Sequence, residues 1–253
     1  MPSLFDPDLK RQWAKFRLDE FLKEVEAIQK ASKPKITTEE DVESNKFKVR
    51  IQEMYDERFL QTALRAGDFI ANLRAVLDHI VWQLALLGGG LPNKNICFPI
   101  CEEDNSKSQE YIKRSTTGVP DKAVEMIKCF QPYKAGNDFR STRLWKLNKL
   151  WNIDKHRHLT SHRITSAEWQ FKINGGTMVE SRLLEDGVEY AIPLLDKEKI
   201  EFNSHNEIEF AVCDETEKIQ LTVTNLVEMY EYVSDVVMPA FAEFFTGSDS
   251  VVG

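Results

Sequence analysis

The clearest chemistry-bearing residues lie on one predicted helix in the first half of the chain. They are an arginine, an aspartate and a histidine, found as Arg74, Asp78 and His79. Residues four apart are neighbours on a helix, so the Arg74 guanidinium can pair with the Asp78 carboxylate. Histidine titrates near neutral pH and can transfer protons, while arginine can hold an anion. These residues indicate either a structural hydrogen-bond network or an active or ligand-binding site.

The side of the helix that carries Arg74 is not an ordinary solvated face. It holds small residues, short polar groups and one aromatic ring where Lys and Glu are expected. Its members are Gly67, Asp68, Ala71, Asn72, Arg74, Ala75, Asp78, His79 and Trp82. We expect this second face to be packed, with Asn72 and Trp82 as binding residues. Gly67, Ala71 and Ala75 form a low ridge, which suits a homodimer contact between two copies of the helix.

A second group of reactive side chains follows Trp151. It contains Asp154, Lys155, His156, Arg157, His158 and His162. If the helix continues past Trp151, Asp154 and His158 point inward and the carboxylate can orient the imidazole; if it breaks, the segment is a polar loop. Histidines four apart on a helix can share a metal, so Asp154, His158 and His162 form an alternative metal site. Lys155 and Arg157 repel cations, and we therefore expect no metal.

The charge distribution restricts the class of partner. The net charge of -8 argues against binding long duplex nucleic acid over a broad surface. Residues 134–163 nevertheless contain eight basic residues and two acidic ones. This basic stretch is either a solvated helix or a local anion-binding surface.

The elements that position these residues are mainly helical. Apolar periodicity predicts helices over residues 8–33, 56–87, 121–130, 140–151 and 225–245. Pro239 is expected to kink the last of them. After Arg163 the apolar period changes from that of a helix to that of a strand, which predicts one antiparallel meander. A polar linker is predicted at Thr37 to Asn45, followed by a short strand with Phe47 and Val49 on one face.

These elements predict an α+β fold, mainly a helical bundle, with an antiparallel β-sheet insertion before the C-terminal helix. We expect a single domain over residues 1–253. Its helical part spans 1–165 and 223–247, and its β-rich insertion spans 166–222.

Several classes of protein are disfavoured. No apolar run approaches the roughly 20 residues of a membrane helix, the N-terminus has no apolar signal core, and the four cysteines are sparse. We therefore expect a cytoplasmic protein that does not enter a membrane. Phosphate-loop, dinucleotide-binding and nucleophile-elbow motifs do not occur, so no cofactor is expected. Cys97 and Cys101 are expected to act as small apolar side chains that fill space in the core.

Two stretches carry a resemblance to known proteins. Residues 64–79, which contain Arg74 and His79, and residues 147–157, with Trp151-Asn152-Ile153-Asp154-Lys155-His156-Arg157, resemble a group of uncharacterised bacterial proteins. The helices are similar to those of the HEPN superfamily, all-helical domains that include many ribonucleases. The motif of that superfamily is Arg-x4–6-His, and the spacing of Arg74 and His79 matches it.

The resemblance implies metal-independent RNA cleavage at sites that face each other across a dimer. His79 would act as general acid or base on a ribose 2′-hydroxyl, and Arg74 would stabilise charge on the phosphate. Asp78 would hold Arg74, and His156 or His158 would contribute nearby. The basic stretch, with Lys155 and Arg157, would cradle the RNA backbone.

The function we expect first is a non-catalytic protein that binds a nucleotide, RNA or another partner on a HEPN-like helical scaffold. Ala75 stands where the superfamily usually has a polar residue, and the chain is acidic overall; both favour this interpretation. The alternatives are a metal-independent endoribonuclease of a defence or toxin system and a metal-dependent enzyme.

Overall fold

The computed structural model describes residues 1–31, 35–41, 43–52, 58–156, 159–173, 176–184, 189–193, 200–214 and 219–246. Its helices are α1 (Phe5–Ala31), α2 (Arg58–Leu87), α3 (Ser106–Ser115), α4 (Asp121–Cys129), α5 (Arg143–His156), α6 (Val223–Glu231) and α7 (Met238–Ala240). Its strands are β1 (Lys35–Asp41), β2 (Lys46–Gln52), β3 (Thr160–Ile173), β4 (Gly176–Leu184), β5 (Glu189–Pro193), β6 (Ile200–Asp214) and β7 (Ile219–Thr222). The fold is α+β and mainly helical, with antiparallel sheets, as the sequence predicts.

The chain divides into two compact units, and the single domain over residues 1–253 stays a prediction. The helical unit contains Met1–Phe21, Ala63–Leu159 and Thr224–Gly253. The sheet unit contains Leu22–Thr62 and Thr160–Val223. The β-rich segment thus begins earlier than residue 166, because β3 starts at Thr160 directly after α5.

The strands form two sheets and not the one meander that was predicted. One sheet has the order β1-β2-β5, and the other has the order β4-β3-β6-β7. β3 and β6 are long strands that pair along their length, from Thr160 opposite Cys213 to Ile173 opposite Ile200. A pairing of this length satisfies many backbone groups at once. β5 is only five residues long and pairs with β2.

β1 replaces the polar linker that was predicted at Thr37 to Asn45. Its described side chains are mostly exposed and polar, so it has no apolar alternation to reveal a strand. It pairs with β2, whose Phe47 and Val49 are buried as predicted. The Lys48 ammonium on β2 contacts the Asp41 carboxylate on β1 at 2.7 Å. β1 is therefore a strand because it pairs with β2. This pairing cannot be recognised from the sequence of β1 alone.

α2 supplies more buried apolar side chains to the core of the helical unit than any other described helix. Its large fully buried side chains lie on more than one side of the helix: Phe69, Ile70, Leu73, Val76, Leu77, Ile80, Val81 and Leu84. By length and composition alone, Gln61–Leu87 is the one stretch among the described helices that could cross a membrane. However, 56% of its most apolar window is buried inside the protein, as in the core helix of a soluble protein.

The last helix changes its hydrogen bonding before Pro239. The α-helical pattern of α6 ends at Glu231, and Tyr232–Val237 form a π-helical turn before α7. The Met238 N–H bonds the Val233 carbonyl, five residues back. Proline has no N–H and its ring crowds the preceding turn, so the regular ladder is interrupted there. The hydrogen bonding changes just before Pro239, while the predicted kink stays a prediction.

α2 ends where it meets the loop between α3 and α4. Gly89 adopts a left-handed φ of 77°, and the Gly90 N–H bonds the Ala85 carbonyl, which completes a glycine C-cap. The backbone of Gly118 packs directly against this cap. A Cβ built on Gly88 would lie 2.0 Å from the Gly118 carbonyl oxygen. Two backbone segments therefore touch at Gly88, and no larger residue fits between them.

We predict that Gly88→Ala lowers the free energy of unfolding by about 1–3 kcal/mol, because the loop must shift to admit a methyl group. Leu91→Ala is the control, since Leu91 lies in the same loop and is 94% exposed. Chemical denaturation of both variants checks the expectation. Equal stability of the two variants would show that the close approach at Gly88 is not there.

Candidate ligand-binding site

Arg74 lies in the middle of α2 and only 3% of its surface is exposed. Its Nη2 donates a 2.7 Å hydrogen bond to the Phe98 carbonyl, and its Nη1 forms an ion pair with Asp78. The guanidinium carbon lies 5.2 Å from the centre of the Trp151 ring, within range of a cation–π contact. Its Nε is buried and bonds no residue in the described part of the chain. Arg74 is therefore a member of the packed interior.

The Asp78 carboxylate connects this interior to the surface. Its Oδ1 accepts hydrogen bonds from Arg74 and, at 2.8 Å, from the Phe98 N–H. The pair of Arg74 and Asp78 thus satisfies both backbone polar groups of Phe98 and fixes that loop to α2. The Asp78 side chain is 30% exposed, and its Oδ2 accepts no hydrogen bond from the described residues. One oxygen of Asp78 remains available to a ligand.

α5 closes the other side of Arg74. Its Trp151 also has the Lys155 ammonium 4.9 Å from the ring centre. One turn further along α5, the Asp154 carboxylate packs on Gly67 of α2, where a Cβ would lie 2.5 Å from Asp154 Oδ1. Glycine permits this close approach because it has no Cβ. The prediction that the second face of α2 is packed is confirmed at Gly67 and Arg74.

This contact changes the surface that is free for the predicted homodimer. Gly67 is buried beneath Asp154 of its own chain, while Ala71 and Ala75 are half-buried. The homodimer contact stays a prediction. It would now have to form around Ala71 and Ala75, because α5 already covers the Gly67 end of the ridge.

Only part of the second group of reactive residues, which follows Trp151, lies near Arg74. α5 continues past Trp151 and ends at His156, so the helical alternative is confirmed that far. Asp154 is half-buried on α2, whereas Lys155 and His156 are exposed. Arg157 and His158 lie outside the described residues, and His162 falls in β3.

The metal-dependent alternative gains no support from the geometry. Within the part of the chain that is described, no three His, Cys, Asp or Glu side chains are grouped to hold a metal ion. The proposed set of Asp154, His158 and His162 includes a residue outside that part, so it stays a prediction.

His79 faces a pocket of about 320 Å³ at the other end of the Asp78 carboxylate. The pocket is lined by Asp6, Asp78, His79, Trp82, Gln83 and Ile96. Gln83 is 7% exposed; its Nε2 donates to Asp6 Oδ2 at 3.0 Å and its Oε1 accepts from the Ser3 N–H at 3.0 Å. These two bonds fasten the N-terminal segment to α2 and form one wall of the pocket. Trp82 is 42% exposed and forms another.

Burial, more than the surrounding charges, lowers the pKa of His79 and so favours the neutral imidazole at physiological pH. Burial lowers the pKa of His79 below its ordinary value, and repulsion from Lys10 lowers this pKa further. Attraction to Asp6 and Asp78 acts in the opposite direction and is weaker. A neutral imidazole can donate one hydrogen bond and accept another. No described residue uses either nitrogen, so both are available to a ligand.

Arg74 and His79 do not share one enclosed space, as the common catalytic site implied by the HEPN resemblance would require. Arg74 is sealed between α2, α5 and the Phe98 loop, and it does not line the pocket. Residues five apart on a helix point about 140° away from each other, which explains the separation. Asn72 is also outside the pocket; its Nδ2 donates at 2.7 Å to the Asp68 carbonyl of its own helix.

Three pocket residues were not identified from the sequence. Asp6 and Ile96 come from distant segments, and no motif connects them to α2. Gln83 could have been found, because a lone amide inside an apolar helix needs a buried polar partner. It lies four residues after His79, on the same side of α2.

Comparison with protein-family models, with curated proteins and with solved structures found no match for this chain. The similarity to HEPN domains therefore depends on the Arg-x4-His spacing and on the helical stretches already described.

We predict that Arg74→Met lowers the free energy of unfolding by about 2–4 kcal/mol. The change leaves the Phe98 carbonyl without its donor and the Asp78 carboxylate without its counter-charge. Arg65→Met is the matched control on the same helix, since Arg65 is half-buried and hydrogen-bonds no described residue. Urea unfolding of both variants measures the difference. Equal losses at the two positions would contradict a structural role for Arg74.

We predict that acid destabilises the protein partly through His79. Its pKa is lower in the folded state than in the unfolded chain, so the unfolded chain binds more protons. Stability is therefore lost as the pH falls from about 6.5, the unfolded value, through the lower folded value. The melting temperature of His79→Gln should fall less between pH 7.5 and pH 5 than that of the parent. The same fall in both proteins would show that the imidazole is not shielded.

Proposed function

We propose that this chain is a non-catalytic binding protein on a HEPN-like helical scaffold, with its ligand in the pocket beside His79. The observation that carries the proposal is the burial of Arg74, whose guanidinium is engaged by Asp78, the Phe98 carbonyl and Trp151. A ribonuclease of this type needs its arginine at the scissile phosphate. The alternative of catalysis is therefore the less favoured one.

Moving Arg74 to a phosphate would cost free energy, because its buried partners would be left without it. Stabilising a transition state requires donors about 2.7–3.1 Å from the developing charge. To reach a phosphate, Arg74 would have to abandon the Phe98 carbonyl and Asp78. Each buried polar group left without a partner costs about 1–3 kcal/mol, and more if it is charged. This cost works against a catalytic conformation.

The pocket itself has the character of a binding site. It is concave, it combines an aromatic ring and an aliphatic side chain with a few polar groups, and its volume suits a small ligand or one side chain of a partner. Asp6 and Asp78 oppose the entry of a phosphate, because their carboxylates repel anions. A ligand is therefore expected to enter with an uncharged or cationic group.

A second hollow in the helical unit supports nucleotide or RNA binding. Lys134 and Arg143, from the basic stretch, line a separate hollow of about 350 Å³ beside Tyr232. The Arg143 guanidinium lies 5.7 Å from the centre of that ring. Cations next to an aromatic ring are a common combination for phosphate and base. This hollow is the second candidate site and is independent of His79.

The direct test is incubation of the purified protein with single-stranded and structured RNA without added metal. We expect the RNA to remain intact with the parent protein and with His79→Ala. Cleavage by the parent that disappears in His79→Ala would overturn the proposal and favour the endoribonuclease. His79→Ala is the informative variant, because loss of activity in an Arg74 variant could result from unfolding.

A further inference from the structure

The pocket beside His79 offers hydrogen-bond acceptors that the protein itself does not use. Asp78 uses Oδ1 for Arg74 and Phe98, and Asp6 uses Oδ2 for Gln83. No described residue donates to the second oxygen of either carboxylate. Because the Gln83 oxygen accepts from Ser3, that amide is already held in place. The two unused carboxylate oxygens therefore make the polar side of the pocket richer in acceptors than in donors, although the neutral His79 ring also carries one N–H donor.

The aromatic wall of the pocket is similarly unoccupied. Trp13 has Arg17 within 4.9 Å of its ring centre, and Trp151 has Arg74 and Lys155. Trp82 has no such cation among the described residues, although its ring is 42% exposed at a concave surface. A ring face attracts a cation electrostatically, most strongly for tryptophan.

The charges in and around the pocket select against an anion. Asp6 and Asp78 are in the lining, while Lys10 acts on His79 from α1 and Arg74 is turned to the interior oxygen of Asp78. The imidazole is uncharged at neutral pH. The pocket lining thus contains two carboxylates and an aromatic face, while Lys10 lies near His79 but outside the lining.

Ammonium and guanidinium are the groups that carry only donors. We propose that the pocket beside His79 binds a protonated amine or guanidine, with its N–H groups on Asp6 and Asp78 and its charge against the Trp82 ring. This inference rests on the proposed function, because it names the ligand class of the same site. Ile96 would contact the aliphatic part of the ligand.

The test is isothermal titration of the full chain with agmatine and with spermidine at constant ionic strength. We expect saturable binding that weakens about tenfold in Trp82→Leu, the loss expected when a desolvated cation–π contact of about 1–2 kcal/mol is removed. Asp6→Asn should weaken binding as well. Asp121→Asn is the matched control, because Asp121 is also an exposed acid in the first turn of a helix and lies outside this pocket. It should bind as the parent does.

Titrations with two further probes identify the source and the chemical class of the ligand. A capped peptide with one central arginine carries the same head group; tighter binding of this peptide than of agmatine would assign the group to a partner protein. AMP is the alternative class. If AMP binds in a Trp82-dependent manner and neither amine nor peptide does, the ligand class is wrong and the proposed binding function stands. If no probe binds in a Trp82-dependent manner, the inference and the proposed pocket function both fail.

Discussion

The guanidinium of Arg74 is buried in the middle of the longest described helix, and its neighbours supply partners for both of its terminal nitrogens. Burying an unpaired charge is so unfavourable that Arg74 must bring partners with it. Asp78 supplies the counter-charge from the same helix, the Phe98 carbonyl comes from the loop that follows, and Trp151 comes from α5. Three separate segments are thus held together by one side chain. The same constraint removes Arg74 from any role at the surface.

Asp78 is where the structural network and the proposed binding site meet. One of its oxygens belongs to the interior and the other borders the His79 pocket. Its position is fixed by two hydrogen bonds, so the carboxylate is preorganised for a ligand without further ordering. In the same pocket, Gln83 fixes Asp6 through its amide. Two preorganised carboxylates beside a tryptophan give this pocket the character of a binding site, while the burial of Arg74 disfavours catalysis.

The helices and the pairing within α2 could be predicted from the sequence, because they depend on local periodicity. The i,i+4 pair of Arg74 and Asp78 is confirmed, and so is the packed second face, which the small size of Gly67 and the absence of Lys and Glu had indicated. The α+β class also follows from the change of period after Arg163. α3 was not predicted, because its amphipathic run is short. Its N-cap, Asn105, is also a residue type that is common in loops.

Contacts between distant segments could not be predicted in the same way. Asp6 meets Gln83 across 77 residues, and β5 leaves its sequence neighbours to pair with β2. The periodicity of apolar residues describes one segment at a time. It does not show which distant segment will pack on a helix face or pair with a strand edge. The separation of His79 from Arg74 follows from local geometry, because a five-residue interval turns the two side chains well apart on a helix.

The measurement that most directly tests the enclosure of Arg74 is nitrogen-detected NMR of the arginine guanidinium groups in the native protein. Enclosure predicts that the Arg74 Nη protons exchange slowly with water and that its two Nη nitrogens give separate signals. Rotation about the Nε–Cζ bond would have to break the bonds to Asp78 and Phe98. A single averaged signal for Arg74, exchanging as fast as that of an exposed arginine, would contradict the account.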